Sequence, residues 1–237
     1  ACALYANTTG DNNVAIGLCT MVANTTGYTN TAVGNIALCS NTTGLSNSAF
    51  GYCGLGKNTT GRCNTAVGRN SLSANTAACN NTAVGYNSLR DNTTGDLNTS
   101  IGQCSMALNT VGDRNVAVGA SALRDYNPSS NQDSYNVAVG QQSQTSGTTV
   151  CQNTSIGGLS LRDNTTGITH TAVGFCALAK NTTSSCNTAV GAYAMRQNTT
   201  GACNTALGRN ALCNNTTASN NTAVGKDSLF SITTGGS

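Results

Sequence analysis

A phrase of seventeen residues written thirteen times over leaves a chain few ways to fold. Aligned on Asn-Thr-Ala-Val-Gly, the copies begin at Asn13, Asn30, Asn47, Asn64, Asn81, Asn98, Asn115, Asn136, Asn153, His170, Asn187, Asn204 and Asn221. Eleven of the twelve steps between them are 17 residues and one is 21. The consensus is N-T-A-V-G-x-x-A/S-L-x-x-N-T-T-G-x-x, numbered below as positions 1 to 17. A short fixed period marks a solenoid, in which each repeat is one coil and stacked neighbours make the core.

Seventeen residues are too few for a helical-hairpin repeat of ~34 or more. Gly, Asn and Thr are also poor helix formers. Short runs of small and β-branched residues between Gly and Asn read as strands and tight turns. The expected fold is therefore all-β, a parallel β-solenoid (β-roll or β-helix) of 17-residue coils. Positions 1 to 4 are expected to form one strand, positions 7 to 10 a second, and Asn-Thr-Thr-Gly the corner between coils.

The recurrent letters have physical roles in such a stack. Position 5 is glycine in every copy: Gly17, Gly34, Gly51, Gly68, Gly85, Gly102, Gly119, Gly140, Gly157, Gly174, Gly191, Gly208 and Gly225. That suits a corner with positive φ or a close backbone approach. Asn at positions 1 and 12 can stack on its own copy one coil away as an amide ladder. Ala or Ser at positions 3 and 8 lets the walls approach, while Val at 4 and Leu at 9 are expected to supply the apolar stack. Gln144 interrupts the Leu/Met column at position 9. Positions 6, 7, 10, 11, 16 and 17 vary and are expected to be mostly exposed.

Residues 1–237 are thus expected to form a single solenoid of about fourteen coils, a rod of about 65 Å at the usual strand spacing. The long step falls within 125–135 and adds four residues and the chain's one proline, Pro128. It is expected to bulge from a corner without breaking the stack, as a tolerated insertion or a binding protrusion. The chain opens at Ala1 rather than Met, which points to a processed product or a cut piece. Neither end carries an atypical capping repeat. That pattern is expected of a segment of a longer fibre, or of a subunit whose ends abut neighbours.

Composition narrows the partners. Charged residues are only 8%, aromatics 4%, and 11 basic residues face 8 acidic ones. The basic residues are scattered, which excludes the clustered Lys and Arg of a nucleic-acid or anionic-membrane footprint. No apolar run reaches the length of a membrane span, so no membrane insertion is expected. Gly- and Asn-rich chains are often disordered, but apolar residues at fixed positions argue for a packed stack.

Twelve cysteines in so polar a chain suggest an oxidising, extracellular setting. Three pairs recur ten residues apart: Cys53–Cys63, Cys176–Cys186 and Cys203–Cys213. Cys2 and Cys19 share position 7 of adjacent coils, close enough for a bridge. These four are the candidate disulfides, with bridges between chains also open. There is no CxxC and one His, so no metal and no cofactor is expected.

His170 stands where every other copy has Asn, and is expected to act as a substitute ladder residue rather than a nucleophile's base. The Arg-Asp pairs at 90–91, 124–125 and 162–163 are expected to be solvated ion pairs. No phosphate loop, calcium repeat or catalytic constellation is present, so no enzyme is expected. Asn7, Asn24, Asn41, Asn58, Asn92, Asn164, Asn181, Asn198 and Asn215 each head an Asn-Thr-Thr triplet. They read either as glycosylation acceptors on exposed corners or simply as turn chemistry.

The segments NVAIG at 13–17 and NTAVGRNSL at 64–72 resemble the head repeats of YadA-type trimeric autotransporter adhesins. The longer phrase NTAVGYNSLRDNTTG also resembles repeats of phage and viral tail-fibre proteins. The likeness covers essentially the whole chain, although the 17-residue period is longer than the adhesin repeat. It implies a left-handed parallel β-roll, three chains together, with a structural and adhesive role and no catalytic residues to carry over. The expected function is a structural subunit or segment of an extracellular, cell-surface or virion fibre. Its expected partner is itself, as a trimer or an end-to-end filament, with a cell-surface or glycan receptor beyond. The alternative is a module for a repetitive surface such as ice, through the Thr ladder Thr8, Thr25, Thr42, Thr59 and Thr93.

Overall fold

The computed structural model of the chain describes residues 2–130 and 133–234. They form a parallel β-solenoid of 17-residue coils, and among the described residues there is no helix. Two compact units are present, one built on Ala1–Asn115 and one on Val116–Pro128 with Asp133–Ser237.

The first unit holds β1 (Val14–Ile16), β2 (Thr31–Val33), β3 (Ser48–Phe50), β4 (Thr65–Val67), β5 (Thr82–Val84) and β6 (Thr99–Ile101). The second holds β7 (Val116–Val118), β8 (Val137–Val139), β9 (Thr154–Ile156), β10 (Thr171–Val173), β11 (Thr188–Val190), β12 (Thr205–Leu207) and β13 (Thr222–Val224). Within each unit every strand pairs in parallel with the next, position on position, as in Thr31↔Ser48 and Ala32↔Ala49. The register passes the long step unbroken, because Val116↔Val137 pair across it. The bulge expected there includes residues 131–132, which lie outside the described residues.

The strand is only three residues long, positions 2 to 4, and it alternates strictly. Ala at position 3 points inward and is fully buried in most coils (Ala32, Ala49, Ala66, Ala172, Ala189). Positions 2 and 4 must then face out, since neighbouring strand residues lie on opposite faces. This corrects the expectation that Val at position 4 joins the core: Phe50, Val67, Ile101, Ile156, Val190 and Leu207 are all exposed.

The second wall is a larger correction. Positions 7 to 10 form no strand but a run of turns. Among the described residues forty that are not glycine have positive φ, and all fall at positions 7, 9 or 17. Leu38, Leu55, Leu72 and Leu178 at position 9 have φ of 47°, 51°, 49° and 50°. A left-handed conformation costs an L-residue about 1–2 kcal/mol. The stack offsets that cost by giving most such amides a partner in an adjacent coil. Leu38 N–H donates to Gly54 O at 3.0 Å, and Ile36 N–H to Leu18 O at 2.9 Å. The alternating conformation also turns two consecutive residues inward, so Ala37 and Leu38, or Ala177 and Leu178, are both fully buried.

The corner between the walls needs glycine on both counts expected. Position-5 glycines have φ from 115° to 139°, a region other residues rarely adopt. A Cβ on Gly174 would lie 2.6 Å from the carbonyl carbon and oxygen of Gly191.

The core is thin and partly polar. Leu161, Leu178, Met195 and Leu212 stack with Ala172, Ala189 and Ala206 in the second unit, and Ile232 packs beneath them. Where Ser replaces Ala at positions 3 and 8, the hydroxyls bond one another across the core, as Ser88 Oγ to Ser100 Oγ at 2.8 Å. Gln144 at position 9 is fully buried, and neither its Nε2 nor its Oε1 has a hydrogen-bond partner.

Both amide ladders are present. Asn64 N–H donates to Asn47 Oδ1 at 3.0 Å, while Asn47 Nδ2 donates to Gly61 O at 2.8 Å. At position 12, Asn58 Nδ2 donates to Asn41 Oδ1 at 2.8 Å and to Gly61 O at 3.0 Å. Each ladder thus bonds its neighbour coil and closes its own, so the buried amides are paired. In the second unit the position-12 ladder stops at Asn215, whose Oδ1 is unpaired because Ile232 takes the next rung.

Candidate functional site

The strand wall presents the chain's most regular outward surface. In the first unit Ile16, Val33, Phe50, Val67, Val84 and Ile101 form one apolar rank at position 4. In the second Val118, Val139, Ile156, Val173, Val190, Leu207 and Val224 form another. Parallel pairing spaces the members of each rank about 4.8 Å apart. Beside them runs position 2: Thr31, Thr65, Thr82 and Thr99 in one unit, Thr154, Thr171, Thr188, Thr205 and Thr222 in the other. Contiguous exposed apolar surface of this kind marks interaction sites in water-facing proteins.

The Thr ladder expected at the corner is occupied elsewhere. Thr25 Oγ1 donates to Thr42 O at 3.0 Å, Thr42 Oγ1 to Thr59 O at 3.0 Å and Thr59 Oγ1 to Thr76 O at 3.0 Å. Thr8 and Thr93 do the same toward Thr25 O and Thr110 O. These hydroxyls hold coils together. The position-2 hydroxyls named above make no hydrogen bond among the described residues, so the available Thr rank lies on the flat strand face.

Position 6 flanks the apolar rank of the first unit with a cation–aromatic stack. The Arg69 guanidinium sits 5.6 Å from the Tyr52 ring centroid and 6.0 Å from that of Tyr86, one coil to either side. In the second unit Phe175 meets Tyr193 edge-on at 5.5 Å, and Arg196 covers the Tyr193 ring at 5.7 Å. Aromatic residues and Arg are the types enriched in protein interfaces.

A separate notch of about 230 Å³ is lined by Arg162, Cys176, Ala179, Lys180 and Arg196. Arg162, Ala179 and Arg196 share position 10 of three consecutive coils, and the short Ala side chain leaves the gap. Arg162 is tied to Asp163 at 2.7 Å, like Arg90 to Asp91 and Arg124 to Asp125, which are ion pairs at the half-exposed surface as expected. Burial pushes the Cys176 thiol up, and the two arginines pull it the other way.

His170 takes over the ladder bonds. Its backbone N–H donates to Asn153 Oδ1 at 2.8 Å, Nδ1 accepts from Asn187 N–H at 3.2 Å, and Nε2 lies 2.7 Å from Ser184 O. Nδ1 as acceptor and a carbonyl facing Nε2 place the proton on Nε2. Burial lowers its pKa to about 4, against the smaller upward pull of the bonds to Ser184 and Asn187.

The Asn-Thr-Thr asparagines are not exposed corners. Asn24, Asn41, Asn58, Asn92, Asn164, Asn181, Asn198 and Asn215 are fully buried. Asn7 is half-buried, with Nδ2 bonded to Gly10 O at 2.9 Å. A glycan would occupy the nitrogen that donates along the ladder, so in the folded chain turn and ladder chemistry accounts for the triplets.

All twelve cysteines are free thiols. Cys2 and Cys19 do stack in one column. The ten-residue pairs face apart: the sulfur of Cys186 lies 3.2 Å from Thr169 Oγ1, whereas Cys176 sits beside Arg162 and Arg196. Likewise Cys53 and Cys213 stand at positions 7 and 10 of the turn wall, whereas Cys63 and Cys203 stand at position 17, just before the residue that leads into the strand. Ten residues along a 17-residue coil lead to a different wall, which spacing alone does not reveal.

Among the described residues no three His, Cys, Asp or Glu side chains group as metal ligands would. Nor is any helix there long and apolar enough to cross a membrane. Comparison of the chain with protein-family models, with curated proteins and with solved structures found no match.

Proposed function

We propose that this chain is a structural subunit or segment of an extracellular or virion fibre and assembles with copies of itself. The observation that carries the reading is the outward rank at position 4, apolar in every coil and unbroken within each unit. A globular enzyme gathers unlike groups at one place; here like groups recur at every rung, and a surface that repeats suits a partner that repeats. A second copy of the same chain supplies an identical rank at identical spacing. The likeness of the repeat to adhesin heads and tail fibres supports the same reading.

The test is the native mass by light scattering, on non-reduced material at several concentrations. Assembly above one chain is expected, and Val67→Lys with Val84→Lys should abolish it while circular dichroism stays unchanged. A monomer at every concentration would overturn self-assembly. The free Thr hydroxyls at position 2 favour one second reading, a module for a repetitive surface such as ice. Thermal hysteresis that survives in the monomer and is lost in Thr171→Lys with Thr188→Lys would establish it.

A further inference from the structure

Two thiols from consecutive coils converge on one glycine. Cys39 stands at position 10 of its coil, held between two inter-coil bonds: Leu38 N–H to Gly54 O at 3.0 Å and Ser40 N–H to Gly56 O at 3.1 Å. Its sulfur lies 3.1 Å from Gly56 O. From the following coil, the bond from Gly56 N–H to Cys53 O at 3.3 Å closes a turn that brings Cys53 back over Gly56. A Cβ added to Gly56 would lie 2.6 Å from the Cys53 sulfur. Gly56 occupies position 10, where other coils carry Arg90, Arg162, Arg196 or Cys213. The space left by the missing side chain is therefore the space the Cys53 sulfur fills, while the Cys39 sulfur lies against the carbonyl oxygen of the same glycine. Both cysteines are half-buried, and Cys53 feels the charge of Cys39.

We propose that Cys39 and Cys53 are a disulfide-forming pair that staples two consecutive coils, oxidised by exchange with a low-molecular-weight disulfide. One thiolate attacks the small disulfide, breaks its S–S bond and releases one small thiol, leaving a mixed disulfide. The second protein sulfur attacks that bond and releases the other. Two protein thiols lose two electrons and two protons, and one small disulfide becomes two small thiols. The pair crosses the stack at the turn wall, where backbone strain is greatest, and the inference does not rest on the fibre reading.

The full chain would be incubated with glutathione disulfide, blocked with N-ethylmaleimide and digested unreduced with trypsin and chymotrypsin. Cleavage after Tyr28, Phe50 or Tyr52, and Lys57 places Cys39 and Cys53 on separate peptides, the latter free of Cys63. The expected product joins 29–50 to 53–57, two mass units below the sum of its reduced parts, and dithiothreitol separates it. Cys63→Ser should leave its yield unchanged. Gly56→Ala, whose Cβ displaces the Cys53 sulfur, should cut it about tenfold. Cys53 recovered blocked, or joined to Cys63 or any other cysteine, would overturn the pairing, whatever the native mass of the protein.

Discussion

Two walls of the same coil solve one problem in opposite ways. The strand wall, positions 2 to 4, is extended and alternates, so one small residue faces in and two face out. The turn wall, positions 7 to 10, alternates right- and left-handed conformations and turns both position 8 and position 9 inward, as at Ala177 and Leu178. Both walls bond to neighbouring coils, the turn wall through the amides of positions 7 and 9, as at Ile36 and Leu38. The difference lies in where the large side chain goes: outward on the relaxed wall, inward on the strained one. The interior is filled by the wall that carries backbone strain, and the unstrained wall is left free to meet a partner.

The glycine joining the walls should be the most sensitive point. Gly174→Ala combines φ of 133° with a 2.6 Å approach to Gly191, and should cost about 4 kcal/mol or more in chemical denaturation. Next, single modest changes on the two walls should differ sharply. Leu178→Val removes buried volume and puts a branched Cβ at φ of 50°, for a loss of about 3 kcal/mol. Val190→Thr on the exposed strand face should stay within about 0.5 kcal/mol. Equal losses at the two sites would break the comparison.

The polar hinge into the strand wall sharpens it further. His170 has a pKa lowered from 6.5 to about 4 in the fold. Above pH 6.5 both states hold it neutral; as pH falls toward 4 the unfolded chain takes up a proton that the fold refuses. Stability should therefore drop by up to about 3 kcal/mol between those values. His170→Asn, which restores the usual ladder residue, should flatten that limb of the pH profile. A gain is expected on the turn wall: Gln144→Leu replaces two unpaired buried polar atoms and should stabilise by about 1–3 kcal/mol, read as a higher midpoint at unchanged slope.

Much of this was legible in the letters, and the misses are physical. The 17-residue period, the position-5 glycines and the Asn ladders follow from repetition itself, because stacking places identical residues one above another. The direction of position 4 was also readable, since adjacent strand residues cannot share a face and Ala at position 3 already points in. The turn wall left a fainter trace. Position 9 is Leu, Met or Gln and never Val, Ile or Thr, which suits a buried column at positive φ, although the exposed Thr29 and Thr169 show that β-branched residues enter the positive-φ columns elsewhere. The burial of the Asn-Thr-Thr amides left none, for a sequon and a ladder rung are spelled alike.

What the chain determined by itself is thus the stack: its period, its parallel register and the residues that must recur at every rung. The cross-section of a coil was decided only in three dimensions. Which wall is strand and which is turn, which thiols meet at Gly56 and which threonines keep free hydroxyls depend on how 17 residues close around a core. The physical reason is that a repeat specifies contacts between equivalent positions one coil apart. Contacts between different positions, such as 7 with 10 or 3 with 8, exist only once the backbone has bent.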